Sequence, residues 1–308
     1  MKKVLLSVLL TATATHAFAV DKSLKGEVKL DGSSTVFPIT EAAAEEFQKE
    51  YPNIRVTVGV SGTGGGMKKF TVGEIDIANA SRTMKPDEAK KAAEKKIEFI
   101  ELPIANDGIA VVVNPANKFV KSLSLAQLKA IWEPGSKVKT WKDVDPSFPA
   151  DSIKLYGPGA DSGTFDFFTE HVMGTARLSR SDYIASEDDN VLVTGVSKDK
   201  NALAYFGFAY YIENQKTVKD IPLAGKDGTV VAPNAETIEK GTYSLARPLV
   251  IYVNKKSAQK PEVKAFVSFL LKNAAALSKE VGYVPLKEAV YTDAIKKFEA
   301  VASGKASH

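Results

Sequence analysis

Apolar and polar positions alternate over residues 26–30 and again over 54–60. Each stretch runs into small polar residues and then into apolar positions at helical spacing. The first unit predicts a strand over 26–30, a loop of Asp31, Gly32, Ser33, Ser34 and Thr35, and a helix over 38–51 with Ala42, Ala43 and Phe47 among flanking glutamates. The second predicts a strand over 54–60, a small-residue loop over 61–66 and a short helix over 67–72. A further strand over 75–78 ends in Asn79, Ala80, Ser81 and Arg82, ahead of a helix opening near Pro86. Strands alternating with helices predict a largely parallel sheet covered on both faces, with ligands bound where the strands end.

The pattern then changes. Apolar runs over 99–104 and 109–113 are separated by Ala105, Asn106, Asp107 and Gly108, and Asn114 and Pro115 close the second run; a chain crossing between lobes has this form. A second α/β block follows: a helix over 124–131, a strand over 153–156, a loop over 157–163, and helices over 164–172 and 191–199. An aromatic run over 204–211 suits core packing. Residues 247–254 repeat the apolar composition of the first crossing and its terminal asparagine, which predicts the return connection. Helices over 261–272 and 291–301 complete the first lobe, and 303–308 form a tail. The expected fold is α/β with two lobes, residues 20–107 with 254–308 and residues 108–253, around a cleft. Two direct connections without a low-complexity linker let the lobes close while keeping them from drifting apart.

Composition and the chain's start refine this. Lys2 and Lys3, an apolar run over 4–12 and the Ala17-Phe18-Ala19 triplet read as an export signal over 1–19, cleaved after Ala19. That run is short of the roughly 20 apolar residues of a membrane span. The absence of cysteine rules out disulfides, thiolate metal sites and a lipidated cysteine, so a free periplasmic protein is expected, and the chain is expected to be a monomer. The net charge of +4 falls to +2 without Lys2 and Lys3. Lysines interspersed with acids, as over 85–96, argue against nucleic acid as a partner.

Several chemistries fail on spacing or count. Of three histidines, His16 lies in the leader and His308 in the tail, leaving His171 without the companions that a zinc site or a histidine relay needs. Ser162 misses the glycine-x-serine-x-glycine elbow by one position, and the Ser197 to Lys200 spacing has no companion motif. The glycine-rich stretch 59–68 places Gly65 where a Walker loop needs lysine and Met67 where a dinucleotide loop needs glycine. No cofactor or metal is expected.

What remains suits an oxyanion. Three loops, each ahead of a predicted helix, carry Ser33, Ser34 and Thr35; Ser61, Thr63 and Gly64; and Ser162, Gly163 and Thr164. Each offers backbone N–H groups at a helix start together with short hydroxyl donors. Any one of them also fits ordinary capping; three at separate strand ends favour an anion. Arg82 follows a strand and small residues, so it is expected to point into the same region as the anion's one full positive charge. Asp107 and Asp161 stand beside these donors and could accept a hydrogen bond from a protonated anion.

At these residues the chain resembles the phosphate-binding subunits of bacterial phosphate ABC transporters. The resemblance covers nearly all of the chain after the leader. It runs through the segments 31–38, 61–66, 76–82, 106–108 and 161–164. It implies a periplasmic binding protein of the discontinuous-sheet type (type II), phosphate held between the lobes, delivery to a membrane permease, and no bond-making step. By motif it assigns phosphate contacts to Ser34, Thr35 and Val36, to Ser61 or Thr63, and to Ser162, Gly163 and Thr164. The best-known branch carries aspartate at the Arg82 position and an arginine ahead of the third loop, where this chain has Pro158, Gly159 and Ala160. The site's arginine is therefore expected to be Arg82. The carboxylate that tells phosphate from sulfate is expected to be Asp107, at the crossing, or else Asp161. Sulfate or molybdate binding, phosphomonoester hydrolysis and surface adhesion are the alternatives.

Overall fold

The computed structural model describes residues 22–160, 162–225 and 227–304. The expected leader over 1–19, Asp161 and the end of the expected tail lie outside the described residues. The first block runs β1 (Gly26–Gly32), α1 (Phe37–Glu50), β2 (Ile54–Val60), α2 (Gly62–Phe70), β3 (Ile77–Ala80) and α3 (Pro86–Glu94). Next comes β4 (Phe99–Val113), followed by β5 (Leu123–Ser124), α4 (Leu125–Trp132), α5 (Trp141–Val144), β6 (Lys154–Pro158) and α6 (Gly163–Met173). β7 (Ile184–Ser186), α7 (Asp189–Lys198), β8 (Ala202–Gly207), α8 (Phe208–Asn214), three two-residue strands β9 to β11 between 219 and 231, and α9 (Ala235–Glu239) complete the second block. The chain returns through β12 (Ala246–Asn254) into α10 (Pro261–Glu280) and α11 (Glu288–Ala302).

The sheet order β2-β1-β3-β12-β4-β8-β6-β7 shows how the lobes are joined. β1 pairs in parallel with β2 and β3, and β6 in parallel with β7 and β8, which is the parallel pattern expected of each block. β4 and β12 run antiparallel to each other between the two sets. The expectation of two runs separated at 105–108 is corrected, because β4 is one strand of 15 residues. Asn-Asp-Gly is a turn signal only while its backbone lacks partners, and here Asn106, Asp107 and Gly108 pair with Pro248, Arg247 and Ala246. Past Gly108 the same strand leaves β12 and pairs with β8. One strand thus serves both lobes.

Each lobe has its own apolar core. One gathers Val28, Phe47, Leu102, Leu249, Phe266 and Phe298; the other gathers Ile109, Trp132, Phe168, Tyr205, Tyr243 and Leu245. The predicted aromatic run falls in the second, where Tyr205 stacks on Phe168 at 3.7 Å between ring centroids. The cores change hands between Ala105 and Ile109 and between Leu245 and Leu249, the second change lying earlier in the chain than the expected 253/254 boundary. The two-lobed α/β architecture of the discontinuous-sheet type is the observed one.

The glycine-rich stretch departs from expectation. It is not a loop ahead of a helix at 67; it forms the first turns of α2 itself. A Cβ at Gly66 would lie 2.6 Å from the Gly32 Cα, so glycine there lets α2 lie directly on the end of β1. That close approach brings the α2 start beside the 33–35 loop. Among the described residues, no helix is long and apolar enough to cross a membrane.

Candidate functional site

The carboxyl ends of β1, β3 and β6 and the crossing strand β12 converge on a cleft of about 750 Å³. It is lined by Ser33, Ser34, Thr35, Thr63, Ser81, Arg82, Asp166, Phe167, Glu170, His171 and Arg247, among others. Three helices begin around it. α1 and α2 start without a side-chain cap and without an acidic residue in the first turn. Neither dipole is answered by a local acid, and the leading N–H groups of α2 keep their capacity for an anion, whereas at α1 the Phe37 N–H donates to the Ser33 carbonyl and Pro38 has none. α6 differs: Ser162 caps it by accepting from the Thr164 N–H at 3.2 Å, and Asp166 lies in its first turn.

At the base of the cleft stands Arg247, a residue outside the expected set. Its side chain is 9% exposed and its Nε donates to Asp107 Oδ2 at 3.1 Å. The pair follows from strand register, since Arg247 and Asp107 sit opposite each other on β12 and β4. The other guanidinium nitrogens reach forward: Nη1 donates to Ser81 Oγ at 3.2 Å, and Nη2 to Thr35 Oγ1 and, at 3.4 Å, to the Gly163 carbonyl. Its flat face lies 3.8 Å from the Phe167 ring centroid. One side chain thus touches the first loop, the β3 end and the third loop, on both sides of the cleft. Burial pushes the Asp107 carboxyl up from its ordinary range, with the Arg247 charge pulling against it. A guanidinium keeps its proton under these conditions. The available signal in the sequence is that Arg247 is the single charge in the apolar stretch 246–254.

This geometry revises several expectations. Arg82 lines the cleft, but its fork is closed on Glu88, with Nη1 to Oε2 at 2.9 Å and Nη2 to Oε1 at 2.8 Å. The Glu88 hydrogen bonds raise the Arg82 pKa. Against the opposing effect of burial, the same contact holds the Glu88 carboxyl below its ordinary range. Arg82 is therefore not the one full positive charge at the site. Asp107, expected to face the anion, is buried outside the cleft lining, its Oδ2 accepting from Nε of the Arg247 that lines it. Ser61 donates to Asp31 and does not line the cleft; its loop is represented there by Gly62, Thr63 and Gly64. Thr63 Oγ1 accepts from the Ser81 N–H at 3.2 Å, which ties the second loop to the end of β3.

Other expected residues do gather. Ser33 Oγ accepts from the Thr35 N–H and fixes the first loop, with Thr35 buried beside Arg247 and Val36 fully buried at the start of α1. Ser34 crosses to the other lobe, its hydroxyl donating to Asp166 Oδ2 at 3.1 Å. A Cβ on Gly163 would lie 3.2 Å from the Thr35 Cα, so the first and third loops are in contact. Ser162 and Thr164 adjoin that contact, occupied with capping α6. Asp161 is outside the described residues. Among the described residues, no group of three or more histidine, cysteine, aspartate or glutamate side chains is placed to hold a metal ion.

Comparison with known proteins gives this two-lobed chain a family. A profile of the PBP superfamily domain matches residues 12–274. The chain is 46% identical over 304 residues to the protein SphX of Synechococcus elongatus, across 98% of this chain and 90% of that one. It belongs to the PstS–SphX family of phosphate-binding ABC transporter subunits. A second member, the phosphate-binding protein PstS of Staphylococcus haemolyticus, is 41% identical over 276 residues, 89% of this chain and 86% of that one. Among solved structures, a possible phosphate binding protein from Planctomyces limnophilus superposes with a TM-score of 0.88 at 44% identity. The match covers 91% of this chain and 99% of that one.

Proposed function

We propose that the protein captures inorganic phosphate in this cleft, outside the cytoplasm, and delivers it to the permease of an ABC transporter without making or breaking a bond. One observation carries the reading: the buried guanidinium of Arg247 donates to Thr35 on one side of the cleft and to Gly163 on the other. A charge held at that place rewards an anion that draws both loops together. Thr35, Val36, Ser34 and Thr63 supply hydroxyl and N–H donors from the first lobe, Gly163, Thr164 and Ser162 from the second, and Arg82 the outer rim. The lobes in this proposal are 20–107 with 254–308 and 108–253, with Leu249, Ile251 and Val253 of the return crossing packing their side chains into the first lobe's core. Family membership supports phosphate as ligand and a permease as partner; the monomeric state and the leader cleaved after Ala19 belong to the proposal.

Both arginines already hold a carboxylate, so a divalent anion enters a site whose charged pairs sum to zero. Affinity then rests on preorganised dipoles: the helix starts of α1 and α2 and the hydroxyls fixed around Arg247. Ligand binding shifts an open population to the closed arrangement that the transporter reads. Calorimetric titration of the mature protein with phosphate, sulfate and molybdate, paired with a phosphatase assay, tests the reading. Tight phosphate uptake without turnover is expected. Absence of phosphate binding, or tighter binding of sulfate, would overturn it.

A further inference from the structure

Helix α6 carries phenylalanines at 165, 167 and 168, and they serve different ends. Phe168 stacks on Tyr205 inside the second core, whereas Phe167, 4% exposed, also lines the cleft. Its ring centroid lies 3.8 Å from the central carbon of the Arg247 guanidinium. The edges of that guanidinium are taken by Asp107, Ser81, Thr35 and the Gly163 carbonyl, so the ring covers what hydrogen bonds cannot, a face. Gly163 and Phe167 are four residues apart and therefore share one side of α6. One helix of the second lobe brings Arg247 an edge acceptor and a face cover together, while Thr35 and Ser81 hold it from the first lobe. Apolar burial accounts for a large side chain at 167, and leucine would serve that purpose. It does not account for a flat ring laid on a buried cation, where the ring's negative face answers a charge that is cut off from water.

We propose that Phe167 is a positioning residue for the cleft's buried arginine and the latch of its closure, an inference that rests on reading the cleft as the phosphate site. Its ring holds the Arg247 guanidinium in the plane whose edges serve both loops, and it leaves that face when the lobes open. Because α6 belongs to the second lobe, opening strips the ring and the Gly163 carbonyl from Arg247 in one movement. The guanidinium face then meets water, which screens the ring's attraction. The contact is therefore at full strength only in the closed arrangement that phosphate selects. A ligand released by opening leaves more slowly for it, while capture by the open cleft is unaffected. The ring acts on the dissociation rate rather than on the association rate.

The test replaces Phe167 in the mature protein with mono-, di- and trifluorinated phenylalanine, with Phe167→Leu alongside. Calorimetry gives the phosphate affinity, escape of radiolabelled phosphate gives the dissociation rate, and their ratio gives the association rate. Fluorine draws negative charge from the ring's face, changes its size little and makes it more apolar. A ring that latches a cation should lose phosphate affinity step by step with each fluorine, by about tenfold over the series, with the dissociation rate carrying the loss. Phe167→Leu should weaken phosphate by a similar factor, and urea unfolding in phosphate-free buffer confirms that each variant folds. A ring that only fills space gives the opposite sign, an affinity that stays level or rises with fluorine, and that result overturns the inference. So does a loss carried by the association rate, or parental affinity in a folded Phe167→Leu. The fluorinated series decides the matter if the leucine variant does not fold. A parent that does not bind phosphate is a separate result: it removes the phosphate reading itself, and the latch with it.

Discussion

The floor and the lip of the cleft each hold an arginine on a carboxylate, and the contrast between them shows what burial does to a similar contact. At the floor, Arg247 and Asp107 are joined across two strands, with side chains 9% and 2% exposed. At the lip, Arg82 and Glu88 are six residues apart, with 29% and 16% exposed. The lip pair can exchange a partner for water as the cleft opens. The floor pair cannot, because among the described residues Arg247 is the one cation acting on Asp107, which is 1% exposed. The floor therefore acts as fixed scaffold and charge together, whereas the lip can adjust to the ligand.

The largest expected effect comes from removing the floor cation. Arg247→Ala leaves the Asp107 charge buried and uncompensated, which costs about 3–5 kcal/mol of folding stability, and phosphate binding should fall with it. Urea unfolding in phosphate-free buffer measures the first and calorimetry the second. A loss under about 1 kcal/mol would mean that water reaches Asp107, and the contrast with the lip would collapse.

At the lip the balance should invert. Arg82→Ala should cost no more than about 1 kcal/mol of stability, as for other partly exposed pairs. Phosphate affinity should drop by about one to two decades, the scale of a hydrogen bond from a charged donor. Equal stability losses in the two arginine variants would show that position in the cleft does not separate their roles.

A smaller effect tests how the third loop meets the floor. Gly163 opens α6, its carbonyl accepts from Arg247, and a Cβ added there would press on Thr35 at 3.2 Å from Cα and 3.3 Å from Oγ1. Gly163→Ala should leave the unfolding midpoint near that of the parent, since alanine suits a helix better than glycine. It should weaken phosphate about tenfold, or about 1.4 kcal/mol, and blunt the compaction that phosphate produces in small-angle scattering. Parental affinity in this variant would mean that the loops need not meet for tight binding.

The sequence carried the lobes better than it carried the site. Alternation over 54–60 and the run from Pro86 reflect local side-chain patterns, and β2 and α3 appear where those patterns lie. The break expected at 105–108 did not form because pairing with β12 supplied partners that no local pattern reveals, and the glycine run was needed for close packing rather than for a loop. Arg247 is 140 residues from Asp107, and Ser34 is 132 from Asp166, so both contacts depend on the crossing topology rather than on spacing. Ser61 shows the reverse error: a hydroxyl in a suitable loop can face Asp31 instead of the ligand, and only its direction decides.

The smallest effect concerns a half-buried carboxylate that no arginine answers. Asp189, at the start of α7, is pushed up to about 6 by burial, with the neighbouring charges of Asp188 and Glu187 adding to the shift and the Gly207 N–H opposing it. No cation is among these influences, in contrast to Asp107, where Arg247 answers the charge. A carboxyl whose folded pKa lies above its unfolded value of 3.8 favours the folded state while protonated. That contribution is complete below about pH 4 and lost as pH rises through 6. Asp189→Asn keeps the group neutral at every pH and can still accept from Gly207. Its stability relative to the parent should therefore be unchanged near pH 3.5, climb between pH 4 and 6, and level off above pH 7 at about 1 kcal/mol, allowing for partial solvent contact. Urea unfolding of both proteins from pH 3.5 to 8, without phosphate so that ligand linkage does not intrude, gives the curve. A difference that stays flat with pH would show that Asp189 titrates as an ordinary surface aspartate, and that partial burial without a cation carries no penalty at this helix start.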